Sequence, residues 1–330
     1  LDFRQPYRTA TGVLKRREMV LLRIRDRDGL TGLGEAVPMS LRGGAGLSEV
    51  VAELLAWSED PSGAAPASPP ARCAVETALA DLEARREGIP LWQLLDESAR
   101  PRALECNATI TAGNPEDVLA QCEAWAEDGF NVFKLKSGPD DAVLTAATVR
   151  AGLGPDAVIR FDANGTWGHR SAGLLAELET FGIELVEEPV IGLADMAELS
   201  RRTSIPLVAD ESVNDSHDSA EASVLGACRA ATVKLSKIGG LEVGLGGHLP
   251  TYLSSALDGP VGIAAAAHAA QTLPPDSPWP GIAHGLATER LFESTICAEG
   301  PLLDGATLSP PDGAGLGITI DEGALDSHRL

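Results

Sequence analysis

The sequence predicts an α/β protein in which a separate α+β unit precedes a parallel (β/α) barrel, and three observations lead there. Five apolar runs of strand length, FNVFKLK (130–136), VIRFDAN (158–164), LVEEPV (185–190), PLVADES (206–212) and ATVKLSK (231–237), each carry charge at their end. Segments of helical composition separate them, which is the pattern of a parallel sheet with covering helices. The charged residues recur at the length of one strand-helix unit: Asp162, Glu187, Asp210 and Lys234 follow one another at intervals of 25, 23 and 24 residues. The first hundred residues lack this alternation and read strand, strand, helix, helix.

Taken in order, EMVLLRIR (18–25) alternates like a strand, and RDRDGL (25–30) turns the chain into TGLGEAVP (31–38), an antiparallel hairpin. A helix is expected from about Leu47 to Trp57, then a connector, PSGAAPASPP (61–70). From Ala71 the apolar spacing is helical and stops near Gly88-Ile89-Pro90. Barrel strands are expected at 105–111, 131–136, 158–164, 185–190, 206–211, 231–236, 251–256 and 281–285. The stretch LEVGLGGHLPTYL (241–253) is short and glycine-rich, so the sixth helix should be brief or irregular.

The C-terminal ends of barrel strands converge on one mouth, where charged residues form sites. Lys134 and Lys136 leave one face of their strand, since side chains alternate with period two. That crowding should lower at least one lysine pKa and make a base; an ordinary strand end reaching solvent is the plain alternative. Asp162, Glu187 and Asp210 would repel one another at the mouth unless a cation sits between them, and an all-oxygen set suits Mg²⁺, with Mn²⁺ able to stand in. Lys234 would lie across the barrel from Lys136, and it fits the strand pattern better than Lys237. Glu188 and Glu211 alternate away from the ligands as supporting residues, Glu188 being the first substitute for Glu187. Arg160 shares parity with Asp162 and Asn164 and would either reach a substrate carboxylate or form a structural ion pair. His268, on the small-residue stretch GIAAAAHAA, reads as a packed histidine, and no histidine spacing suggests zinc.

The 48 acidic residues outnumber the 26 basic ones, and the net charge of −22 disfavours nucleic acid as a partner. Neither a membrane span nor a signal peptide is visible, and five cysteines without CxxC spacing fit thiols in a cytoplasmic protein. The first residue is Leu1, so further residues are expected ahead of it. Assembly into a homo-oligomer is left open.

Lys-x-Lys, Asp-x-Asn, Glu-x-Pro, Asp-Glu-Ser and a lysine five residues before Gly239-Gly240, in this order, resemble the enolase superfamily in its muconate-lactonizing subgroup. The resemblance implies a modified (β/α)7β TIM-like barrel over 104–297, with an α+β capping domain over 1–103 that the tail, 298–330, returns to and completes. It implies Mg²⁺ on Asp162, Glu187 and Asp210, with Lys136 and Lys234 as catalytic lysines acting on a small carboxylate substrate.

The late stretch SSALDGPVGIAAA (254–266) with HGLATERLF (284–292) is most similar to the o-succinylbenzoate synthases. That likeness implies a lyase of menaquinone biosynthesis, with Lys136 as base for syn elimination of water and Lys234 as a cation near the ring. Lys134 and Asn164 would contact substrate, and Ser254 or Ser255 with the Gly285 backbone would hold a succinyl carboxylate. Dipeptide epimerases of the subgroup carry an Asp-x-Asp pair after the last strand, which is missing from GIAHGLATERLFE (281–293). N-acylamino-acid racemase, epimerase or cycloisomerase activity, and in a different class a non-catalytic binding barrel, stay as alternatives.

Overall fold

The computed structural model describes residues 1–9, 12–40 and 43–329. The chain begins with a hairpin absent from the sequence reading, β1 (Asp2–Thr9) against β2 (Gly12–Arg16). The expected hairpin follows: β3 (Val20–Arg25) pairs in register with β4 (Thr31–Ala36). Asp26 makes its turn, accepting from the N–H groups of Asp28 and Leu30 at 3.0 and 2.8 Å.

Next come α1 (Leu47–Glu59) and α2 (Pro69–Glu87), the latter closed by Gly88 in the left-handed region. Helix α2 lies directly on β4 because Gly32 and Gly34 have no side chain. A Cβ there would stand 2.1 Å from the Ala78 carbonyl oxygen and 1.9 Å from that of Ala74. Buried Asp81 of α2 then ties three segments together, accepting from Leu33 N at 2.8 Å, Leu316 N at 2.7 Å and Arg85 Nε at 2.9 Å.

After α3 (Leu91–Leu95), the first expected barrel strand splits in two. Its start, β5 (Leu104–Glu105), pairs with the tail, and only β6 (Ala108–Ile110) enters the barrel. Strand and helix then alternate through α4 (Pro115–Glu127), β7 (Val132–Lys136), α5 (Ala142–Leu153) and β8 (Val158–Asp162). The series continues with α6 (Ser171–Leu178), β9 (Ile183–Glu187), α7 (Leu193–Ser200), β10 (Leu207–Ala209) and α8 (Ser216–Leu225). It ends in β11 (Ala230–Val233), a four-residue α9 (Leu235–Ile238), β12 (Thr251–Leu253) and α10 (Pro260–Ala269). As the glycine-rich stretch suggested, no full helix covers 241–250 among the described residues.

Strands β6 to β12 form one parallel sheet in chain order. The expected eighth strand, 281–285, shrinks to two bridges that close the ring: His284 with Cys106 and Gly285 with Ser254. Outward residues such as Phe133, Leu135, Ile159, Phe161 and Val186 pack beneath the helices. Inward Leu185, Val208, Ala230 and Tyr252 fill the floor with Ile282. This is a (β/α)7β barrel with an N-terminal cap.

The tail supplies β13 (Cys297–Glu299), β14 (Leu302–Asp304), β15 (Thr307–Ser309), β16 (Thr319–Ile320) and α11 (Glu322–Ser327). Strand β15 joins β14 to β5, and Glu322 reaches Arg23 of the cap at 2.6 Å. His268 is packed, as expected: its Nδ1 accepts from Trp92 N and its Nε2 faces the Leu316 carbonyl, both at 3.3 Å. Burial lowers its pKa to about 4, and the Leu316 bond only partly offsets that. Among the described residues, no helix is long and apolar enough to cross a membrane.

Candidate active site

Asp162 and Glu187 are the last residues of β8 and β9 and face each other across the strand pair; Asp210 follows β10 directly. All three carboxylates are buried. Lys134 and Lys136, two residues apart on β7, point to the same side as alternation requires. Lys134 donates to Glu187 Oε1 and Oε2 at 2.8 and 2.7 Å and lies 3.1 Å from Asp162 Oδ2. Lys136 donates to Asp162 Oδ2 at 2.9 Å and Asn164 Oδ1 at 3.0 Å. Across the barrel, Lys234 donates to Asp210 Oδ2. It sits one residue past β11, at the start of α9, rather than inside a strand running to 236.

The electrostatics bears on one of the two β7 lysines. Burial would lower the Lys134 pKa, but the Asp162 and Glu187 carboxylates outweigh it and hold that pKa well above the ordinary lysine value. The two ammonium groups share Asp162 Oδ2, at 3.1 Å from Lys134 and 2.9 Å from Lys136. Burial acts on Asp162 in the opposite sense, raising it, yet Lys134, Lys136 and Lys234 together hold its pKa far below the usual carboxylate range. Glu187 is pushed up by burial despite Lys134.

Arg160 takes the structural alternative. It is 1 % exposed, pairs with Glu184 and donates to the Ala283 carbonyl at 2.6 Å, so it holds the closing seam and does not line the cavity. Gly285 is also occupied: its N–H donates to Leu253 O at 2.8 Å and its carbonyl accepts from Ser255 N at 3.0 Å. Its backbone therefore has no donor for a carboxylate. Glu188 turns away as expected, accepting from Asp210 N at 2.8 Å and from Ser212 Oγ. This fixes its unusual positive φ of 42°. Glu211 does not turn away; it accepts from Asn164 Nδ2 at 3.0 Å and lines the cavity. Lys237 is not a mouth residue. It is buried beneath Asp210, donating to Asp210 Oδ1 at 3.1 Å and Val213 O at 2.8 Å.

The cavity has a volume of about 250 Å³. Lys134, Lys136, Asp162, Asn164, Glu211 and Lys234 form its strand-end side, and Ser254, Ser255, Ala256 and Leu257 form the opposite wall. The cap adds Tyr7, Leu14, Arg17, Pro38 and Met39, none of which the sequence singled out. Arg17 lies in the charged run KRRE (15–18), which carries no local mark of a site. Pro38 at least belongs to the Gly-Glu-Ala-x-Pro stretch, where a role could have been sought.

Asp162, Glu187 and Asp210 offer three anionic oxygen ligands, a set that fits a hard divalent cation. Among the described residues, however, no three His, Cys, Asp or Glu are disposed to enclose a metal ion directly. Lys134 and Lys234 account for this, since their ammonium groups lie on the oxygens such an ion would need.

Residues 117–324 match the family described as "Enolase C-terminal domain-like". The chain belongs to the enolase superfamily. It is 26% identical to an o-succinylbenzoate synthase of Geobacillus stearothermophilus, over 99% of this chain and 93% of that protein. To an N-succinylamino acid racemase of Thermus thermophilus it is 31% identical, over 97% of this chain and 91% of that one. The structure is similar to a substrate-liganded complex of the L-Ala-D/L-Glu epimerase from Bacillus subtilis, with a TM-score of 0.88, 25% identity and coverage of 97% and 96%. Superfamily members are lyases, racemases, epimerases and cycloisomerases, and they generally use Mg²⁺ with a lysine or histidine base.

Proposed function

We propose that this member of the enolase superfamily is a cytoplasmic, Mg²⁺-dependent lyase of the o-succinylbenzoate synthase type. It would remove the α-proton of a small carboxylate substrate and then expel water in a syn elimination that serves menaquinone biosynthesis. The observation that carries this reading is the distribution of charge in the cavity. Lys134, Lys136, Lys234 and Arg17 line it, while its acids, Asp162 and Glu211, lie on the strand-end side. Ser254, Ser255, Ala256 and Leu257 line the cavity without a carboxylate, and Asp258 behind them is taken up by Ser255 Oγ and Ala256 N, so a dipeptide's ammonium would find no direct counter-charge there. A substrate carrying a second carboxylate meets hydroxyls and Arg17 instead. At about 250 Å³ the cavity falls below the roughly 300–1,000 Å³ of pockets for drug-sized ligands, which suits a small molecule.

Asp162, Glu187 and Asp210 would hold Mg²⁺, or Mn²⁺ in its place, which when bound offsets the second negative charge that develops on the substrate carboxylate as the α-proton leaves. Lys136, once neutral, would take that proton. Asn164 accepts from the Lys136 ammonium at 3.0 Å and donates to Glu211 at 3.0 Å, so the base is oriented by a partner that is itself fixed. Lys234, on the other side, would stay protonated and stabilise the anion across the ring. Tyr7 and Met39 of the cap help exclude water.

The lysines on both sides favour one second reading, an N-succinylamino acid racemase, in which both exchange protons. The test is to incubate the protein and Mg²⁺ with the cyclohexadiene precursor of o-succinylbenzoate, N-succinylamino acids and dipeptides. Dehydration of the first supports the lyase; α-proton exchange restricted to the second supports the racemase.

A further inference from the structure

The Ser254–Asp258 wall of the cavity is held from the cap. Arg17 donates to the Pro38 carbonyl at 2.8 Å within the cap and to the Ala256 carbonyl at 3.0 Å across the interface. At Gly259, one residue beyond the wall, the N–H donates to Glu35 of β4 at 2.7 Å. Gly259 is the N-cap of α10 and has no side chain to cap it, so the carboxyl that satisfies this helix end comes from the other domain.

The barrel is shaped around that carboxyl. A Cβ on Gly259 would stand 2.7 Å from Glu35 Oε2, and one on Gly262 would stand 2.8 Å from Glu35 Oε1. Met19 Sδ crowds Gly259 as closely, at 2.6 Å, and Asp258 Cβ crowds Gly262 at 2.8 Å, so both glycines leave room for side chains packed around the carboxyl. The wall they support is under strain, since Leu257 has a φ of 65°, in the left-handed region that a leucine rarely adopts. Within the wall, Asp258 Oδ2 accepts from Ser255 Oγ at 2.8 Å and Ala256 N at 2.6 Å. These bonds fix its shape but do not fix its place over the cavity. Burial raises the Glu35 pKa to about 8, aided by Asp258, so the group is largely a neutral carboxyl, which glutamine can imitate.

We propose that Glu35 is a positioning residue that seats the Ser254–Asp258 wall against the substrate by capping α10 across the domain interface. Where kinetics are used, this rests on the function proposed above. It goes beyond that reading in assigning substrate fit to a residue that does not line the cavity.

The test compares Glu35→Ala and Glu35→Gln in the full chain. Without substrate, amide exchange over 254–262 should be about tenfold faster in the alanine variant, with 132–136 and 158–162 unchanged. The glutamine variant, which keeps the acceptor, should match the unmodified protein. With the accepted substrate, the alanine variant should raise KM about tenfold and hold kcat within about threefold.

If Glu35→Ala does not fold, Gly262→Ala drives a methyl against the same carboxyl and, as closely, against Asp258 Cβ of the wall. It should loosen the same segment although alanine ordinarily favours a helix. Unchanged exchange at 254–262, loosening spread evenly over the barrel, or a glutamine variant as impaired as the alanine one would overturn the proposal. If the unmodified protein dehydrates none of the test substrates, the activity reading fails, while the exchange measurement still decides the role of Glu35.

Discussion

Lys134 donates to both carboxylate oxygens of Glu187, at 2.8 and 2.7 Å, with the two side chains 7% and 0% exposed. In a pair this dry the mutual attraction offsets the desolvation of both charges, and removing one partner strands the other. Lys134→Met is expected to destabilise the protein by about 3–5 kcal/mol in chelator, because it leaves Glu187 and Asp162 facing each other. Mg²⁺ should recover more stability in this variant than in the unmodified protein, since the ion would replace the lost ammonium. Urea unfolding with EDTA and with Mg²⁺ measures both effects. A variant as stable as the parent in EDTA contradicts this account of the site.

The carboxylates themselves give a second prediction. Asp162→Asn or Asp210→Asn should reduce turnover to background and weaken Mg²⁺ binding by calorimetry while circular dichroism stays native, because each change removes one anionic ligand without adding bulk. Full activity of either variant, or of the unmodified protein in excess chelator, would sink the metal assignment.

Much of this site is legible in the sequence because barrel geometry converts a fixed spacing into a shared mouth. Asp162, Glu187 and Asp210 lie one strand-helix unit apart, and the period-two rule puts Lys134 beside Lys136. What was not legible depends on depth and on long-range contact. Parity puts Arg160 on the same inward face as Asp162, but its side chain runs to Glu184 and Ala283, whereas Lys134, its register partner, reaches the mouth carboxylates. The Gly285 backbone is expected from the resemblance to hold a carboxylate, yet closing the ring uses its N–H. Arg17 and Met39 reach the cavity only because the cap folds over it, and the hairpin at 2–16 carries little core signal, since it is largely exposed.

The pH dependence of stability should reveal Glu35. Burial first, and Asp258 next, raise its pKa from 4.5 to about 8 in the folded protein. Between these values the folded state keeps a proton that the unfolded chain releases. The contribution is therefore fully present below about pH 4.5 and is lost as pH rises through about 8. Glu35→Gln removes this term, so its stability relative to the parent should improve on going from pH 5 to pH 8, with a limiting slope of about 1.4 kcal/mol per pH unit. Parallel unfolding profiles for the two proteins over that range would show that the carboxyl is ionised throughout.

The two catalytic lysines are separated by what each variant can still do to the α-proton. If Lys136 is the base, Lys136→Ala should lose both elimination and exchange of the α-proton with deuterated solvent, because no other group is placed to take that proton. If Lys234 serves as a cation, Lys234→Ala should lose elimination as well, since the anion is then poorly held. Arginine at 234 should restore little, because its planar head would have to fit where an ammonium now lies against Asp210. A racemase gives a different pattern: each alanine variant would still exchange the α-proton of one enantiomer, and the two would choose opposite enantiomers. NMR of N-succinylamino acids in D₂O distinguishes the cases. That mirror-image result, together with no dehydration of the cyclohexadiene acid by the unmodified protein, would replace the lyase by the racemase and leave both lysines at the centre of the site.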